Sequence, residues 1–156
     1  MDVSTIDFWI MIATSLLCGG VVGFERQLRG KPAGVRTSIL MCLGTSLFIS
    51  LGKAETGETY SDTTRVLGQV VTGIGFLGAG VILTRKGAIV GVTSAAVIWM
   101  LAAIGAIIGF EHYLEAIALS FVTVVVLIGI GLLEGKYEML RKGVFAPGTN
   151  NSDNEK

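Results

Sequence analysis

Val66–Thr84 reads VLGQVVTGIGFLGAGVILT, and the reading of this stretch decides the class of the protein. Gly73, Gly75 and Gly78 stand in the G-x-G-x-x-G register of a dinucleotide-binding turn. That turn needs a short strand before the glycines, a helix opening at them and an acidic residue about 20 positions further on. Twenty residues after Gly78 stands Ile98, and Arg85–Phe110 holds no Asp or Glu. The glycines also lie inside the apolar run instead of at its exit. Nineteen uncharged residues, bracketed by Arg65 and by Arg85 and Lys86, have the length and flanks of a membrane-spanning helix. The nucleotide reading fails.

The rest of the chain agrees. Of 156 residues, 51% are hydrophobic and 15% charged, where a soluble domain carries about 25% charged residues. The charges are confined to short segments between apolar runs at Ile6–Phe24, Val35–Gly52, Val66–Thr84, Ala88–Phe110 and Leu114–Leu133. Each run is long enough to cross about 30 Å of hydrocarbon at 1.5 Å per residue. The second carries Thr37, Ser38, Thr45 and Ser46 and is the most polar. A soluble helical bundle would show a polar face on its helices, and these five segments lack one. The fold class is all-α, a polytopic membrane bundle of about five transmembrane helices.

The basic residues orient it. Arg26, Arg29, Lys31, Arg36, Arg85, Lys86, Lys136, Arg141, Lys142 and Lys156 fall on one side and only Lys53 and Arg65 on the other, 10 against 2. The positive-inside rule then puts the N-terminus outside and the C-terminus in the cytoplasm. The first span has no basic segment before it, which argues against a signal peptide. Residues 1–142 read as one transmembrane domain with no soluble domain attached, and residues 143–156 as a disordered cytoplasmic tail. Residues from Glu134, with Tyr137, Met139 and Leu140, extend the fifth helix amphipathically. KAETGETYSDTTR, from Lys53 to Arg65, reads as a solvated external loop.

Small residues mark where membrane helices approach closely, because lipid tails are as apolar as leucine. Ser15, Gly19 and Gly23 form one ridge, and Gly105 and Gly109 another. Gly68, Thr72, Gly75 and Ala79 line one face of the third span, with Gly73, Gly78 and Gly80 nearby. These patterns predict a bundle packed around the third span, and the Ser15/Gly19/Gly23 and Gly105/Gly109 ridges predict a homodimer.

Polarity gathers at a few places. Glu25, Arg26, Arg36, Thr37, Thr93 and Ser94 share the cytoplasmic depth, where Glu25 is expected to pair with Arg36 and hydroxyls to complete the cluster. Gln69 and Thr72 are the polar residues in the outer half of the third span. No ionisable residue lies near a span's centre, so an ion path lacks its usual ligands. His112 has no partner at metal-ligand spacing, and Cys18 and Cys42 sit inside spans as packing residues. No nucleophile–base set is present. Neither enzyme activity nor a cofactor or metal is expected, and the short basic segments point to no nucleic acid.

Gly23-Phe24-Glu25-Arg26-Gln27, Lys31–Thr37 (KPAGVRT), Val70–Ile82 (VVTGIGFLGAGVI) and Gly91–Trp99 (GVTSAAVIW) together resemble the MgtC/SapB family of bacterial inner-membrane proteins. The resemblance covers residues 8 to 133. It departs in detail: Val35 stands for a usual Leu, Ser38 for a frequent His, and Val92 and Ser94 for Leu and Thr. It implies a multi-spanning protein of the inner membrane. The family is linked to magnesium transport, growth in low magnesium and survival inside macrophages, and some members are reported to restrain the F-type ATP synthase. It points to Glu25, Arg26, Arg36, Thr37, Gly73, Gly75, Gly78, Gly80 and Thr93. The leading expectation is a non-enzymatic regulator of membrane or magnesium and ATP homeostasis, acting on membrane partners through helix contacts. The alternative is a small permease or channel for Mg²⁺ or another solute.

Overall fold

The computed structural model describes residues 5–55, 60–85 and 88–136. The expected tail at 143–156 and the extension at Tyr137, Met139 and Leu140 lie outside them. Five helices follow one another up and down: α1 (Ile6–Leu28), α2 (Val35–Glu55), α3 (Tyr60–Ala79), α4 (Val92–Gly109) and α5 (Tyr113–Lys136). Between α3 and α4 lies an antiparallel hairpin of β1 (Leu83–Arg85) and β2 (Ala88–Val90), in which Thr84 faces Ile89. The protein is an all-α polytopic membrane bundle, as its sequence predicts.

Four helices, α1, α2, α4 and α5, are long and apolar enough to cross a membrane among the described residues. The third is different. Its first turn and a half, YSDTTR, is polar. The helix also stops at Ala79, short of the expected Thr84. Its apolar part, Val66–Ala79, therefore spans about 21 Å at 1.5 Å per residue, less than a hydrocarbon core of about 30 Å. The end is made by tightening: Val81 N–H donates to the Gly78 carbonyl and Ile82 N–H to that of Ala79, the i→i+3 bonds of a closing turn. Leu83, Thr84 and Ile89 then pair as strands. The fourth helix begins at Val92 accordingly, and not at Ala88. The expected loop at 53–65 is also largely helical, since α2 runs on to Glu55 and α3 starts at Tyr60.

The core lies among α1, α2 and α4, with α5 against α1 and α4. Val22, Cys18, Cys42, Ile49, Leu101, Ile104 and Ile108 are fully buried there. Both cysteines are free. More than half of the α4 span is enclosed, 56%, against 17% of α5. Several hydroxyls within the spans bond to a carbonyl one turn back on their own helix, and one pair bonds between α1 and α2. Thr14 donates to the Ile10 carbonyl at 2.8 Å, Thr123 to that of Leu119 at 2.7 Å, and Ser15 and Ser46 share a bond at 3.1 Å.

The glycine ridges behave in two ways. A Cβ on Gly19 would stand 2.7 Å from the Ile39 Cα, and one on Gly23 2.7 Å from the Val35 Cα. On the other face of α2, a Cβ on Gly105 would stand 2.6 Å from the Cys42 carbonyl and one on Gly109 2.8 Å from that of Ser46. These ridges hold α2 between α1 and α4. They are therefore packed inside one chain and do not supply the faces from which the homodimer was expected. The third span is not the packing centre either. Gly68, Gly73 and Gly75 have nothing within 4 Å of an added Cβ, and Phe76 is 82% exposed. Only Gly78, against Ala95 of α4, makes ordinary contact. Helix α3 is peripheral.

Candidate functional site

At the basic end of the bundle, the last turn of α1 meets the first turns of α2 and α4. The close approach at Gly19 and Gly23 draws Glu25 and Arg26 inward, leaving them 7% and 3% exposed. Arg26 Nη2 donates to Ser94 Oγ, in the first turn of α4, at 2.6 Å. A charge-assisted bond of this kind contributes about 1.5–3 kcal/mol. Ser94 is held in place by the turn before it. Gly91 caps α4 at φ +96°, and a Cβ there would collide with the Val81 carbonyl. Only glycine meets both conditions.

Glu25 does not pair with Arg36. Its Oε1 lies 2.7 Å from Arg29 Nε, one turn along the same helix. The reason is helical phase. Val35 and Ser38 are the α2 residues that face α1 at Gly23, so Arg36 and Thr37 point elsewhere and are exposed. Thr93 is exposed too. The structure thus brings Glu25, Arg26 and Ser94 together and separates Arg36, Thr37 and Thr93 from them.

Two residues outside the expected set complete the cluster. Arg29 Nη1 donates to the Leu127 carbonyl of α5 at 3.2 Å, lying in the notch left by Gly131, where a Cβ would run into that nitrogen. Gln27 Oε1 accepts from the Val35 N–H at 3.3 Å and so satisfies an open donor at the start of α2. The signal for Arg29 was its i,i+4 spacing from Glu25, the strongest local pairing cue on a helix. Even so, both carboxylate oxygens of Glu25 and Nε of Arg26 are buried without a hydrogen bond of good geometry. Such a cluster is rigid only while every partner stays in place.

The other expected residues lie on α3. Gln69 and Thr72 are exposed, and the Thr72 hydroxyl bonds back to the Gly68 carbonyl at 2.9 Å. Gly68, Thr72, Gly75 and Ala79 form an outward ridge, all four exposed. Gln69 and Gly73 instead border a groove of about 650 Å³ between α2 and α3. Gly80 sits in the turn that ends α3. At the opposite end of the bundle, Lys53 pairs with Glu111 at 2.8 Å. Among the described residues, no three His, Cys, Asp or Glu side chains come together as metal ligands.

The model of the MgtC family matches residues 12–136. "Putative magnesium transporter YhiD" of Escherichia coli K12 is 43% identical over 129 residues, covering 79% of this chain and 60% of that protein. "Protein MgtC" of Brucella abortus is 36% identical over 140 residues, 87% of this chain and 57% of the relative. "Protein SrpB" of Synechococcus elongatus is 34% identical over 141 residues, 83% and 76% of the two chains. The chain spans about three-fifths of the length of the first two relatives. No solved structure matches it.

Proposed function

The chain belongs to the MgtC family, and we propose that it is a non-enzymatic regulator of the bacterial inner membrane that acts by docking a helix of another membrane protein on α3. The observation that supports this most is the outward ridge Gly68, Thr72, Gly75 and Ala79, exposed along its whole length. Small residues at this spacing let a second backbone approach, and in lipid that approach is itself the attraction. The other glycine ridges of the chain are packed; this one is open. The Arg26–Ser94 bond fastens α1 to α4 behind it, and Gln27 fastens α1 to the start of α2. A homodimer would use this same ridge.

A photo-cross-linking residue at Phe76, beside the ridge, tests the reading in native membranes. It should capture a membrane protein or a second copy of the chain, and Gly75→Leu should abolish the adduct. A matching probe at Leu132 on α5, 69% exposed, should capture only lipid. Equal protein capture at both positions would remove the reading.

A second reading has its own support. The E. coli relative carries the name "Putative magnesium transporter YhiD", and the buried carboxylate of Glu25, ion-paired to Arg29 through Oε1, keeps Oε2 without a hydrogen bond. Under that reading, purified protein in liposomes carries a specific Mg²⁺ flux that Glu25→Gln abolishes. Absence of flux in liposomes that retain folded protein returns the balance to the docking role.

A further inference from the structure

We propose that the groove between α2 and α3 is a binding site for one anionic phospholipid, its phosphate at Arg36 and an acyl chain along the groove. The proposal does not depend on the regulator reading. Helices α2 and α3 touch at their outer ends, where Gly52 meets Val66. Elsewhere they leave a space of about 650 Å³, walled by Leu40, Phe48, Ile74 and Leu77 and floored by Gly44 and Gly73. From Thr37 to Phe48 the α2 wall covers eleven residue steps, about 16 Å. The groove is therefore long and narrow, and it lies along helices that cross or enter the hydrocarbon. Three of its walls, Leu40, Phe48 and Leu77, are more than half exposed.

Charge settles which lipid. Thr37 lines the groove at the basic end, and its neighbour Arg36 is exposed, with no hydrogen bond or ion pair among the described residues. Lys31, also exposed, lies just before it in the connection between α1 and α2. No Asp or Glu occurs between Glu25 and Glu55, nor between Asp62 and Glu111, so neither wall offers a carboxylate to compete. Basic side chains at a bilayer face attract anionic headgroups, each contributing about fivefold in affinity. Gln69 lies at the other end of the groove, one turn from Arg65, at the level where an amide meets interfacial water. Thr37, turned away from Glu25 by the phase of α2, lines the groove, and Arg36 beside it is exposed at the same end.

Native mass spectrometry of the purified full chain tests this with dioleoyl phosphatidylglycerol and dioleoyl phosphatidylcholine in parallel. One phosphatidylglycerol per chain should be retained under conditions that strip phosphatidylcholine. Arg36→Gln should reduce that preference about fivefold, the share of one interfacial cation. Gly73→Phe, placed where an added side chain meets nothing within 4 Å, should fill the groove and lower retention of both lipids. Gly68→Phe, on the outward ridge, should leave retention unchanged. Thermal unfolding in detergent confirms that all three variants fold. Equal retention of the two lipids by the unaltered chain overturns the proposal. So does Gly73→Phe without effect, competition by free phosphate at the same concentration, or loss of a dimer instead of a lipid in Gly73→Phe.

Discussion

Helix α2 and helix α3 use the same small-residue device to opposite ends. Around α2, glycines of α1 and α4 meet backbone at 2.6–2.8 Å from where a Cβ would stand, and every ridge is filled. Along α3, three glycines look into open space. Both kinds of ridge keep small residues on one helical face, at steps of four around α2 and of four and three along α3, and the neighbour differs. A small-residue ridge therefore reports that a helix can be approached closely, and the fold decides whether the approach is made within the chain or left for something outside it.

The widest separation between the two helices should come from bulky substitution. Gly105→Leu places a side chain against the Cys42 carbonyl, where backbone cannot yield, so it should destabilise by at least about 3 kcal/mol and abolish folded protein in detergent. Next is Arg26→Met, which removes the bond to Ser94 and leaves Glu25 buried beside Arg29 alone. A loss of about 3 kcal/mol is expected in equilibrium unfolding, because the remaining charge keeps its desolvation. Ser94→Ala takes away only the acceptor and should lower stability by about 2 kcal/mol. The smallest effect belongs to α3. Gly75→Leu should change monomer stability by less than about 0.5 kcal/mol while eliminating the Phe76 adduct. A large destabilisation by Gly75→Leu would dissolve the contrast, since α3 would then be packed like the others.

Much of this was legible in the sequence, for identifiable reasons. Apolar length and basic flanks give α1, α2, α4 and α5 because hydrocarbon thickness is a one-dimensional constraint. The ridges at Gly19/Gly23 and Gly105/Gly109 were visible because helical spacing places small residues on one face. Which helix fills each face was not visible: that depends on the order in which helices surround α2. The same limit explains Glu25. Depth put it level with Arg36, but the phase of α2, set by Val35 and Ser38 at the Gly23 contact, turned Arg36 away. The end of α3 was hidden as well. Gly78 and Gly80 are as compatible with a continuing membrane helix as with a turn, and the decision comes from the hairpin pairing and from Gly91 beneath the Val81 carbonyl.

Arg29 joins α1 to α5, the first and last of the described helices. During synthesis α1 and α2 are made before α5, and their contacts join elements adjacent in the chain. The guanidinium then holds Glu25 but has no second partner until Leu127 and Gly131 arrive, almost a hundred residues later. Its bond to α5 can form only once α5 has been made, so this one side chain registers the arrival of α5 beside α1.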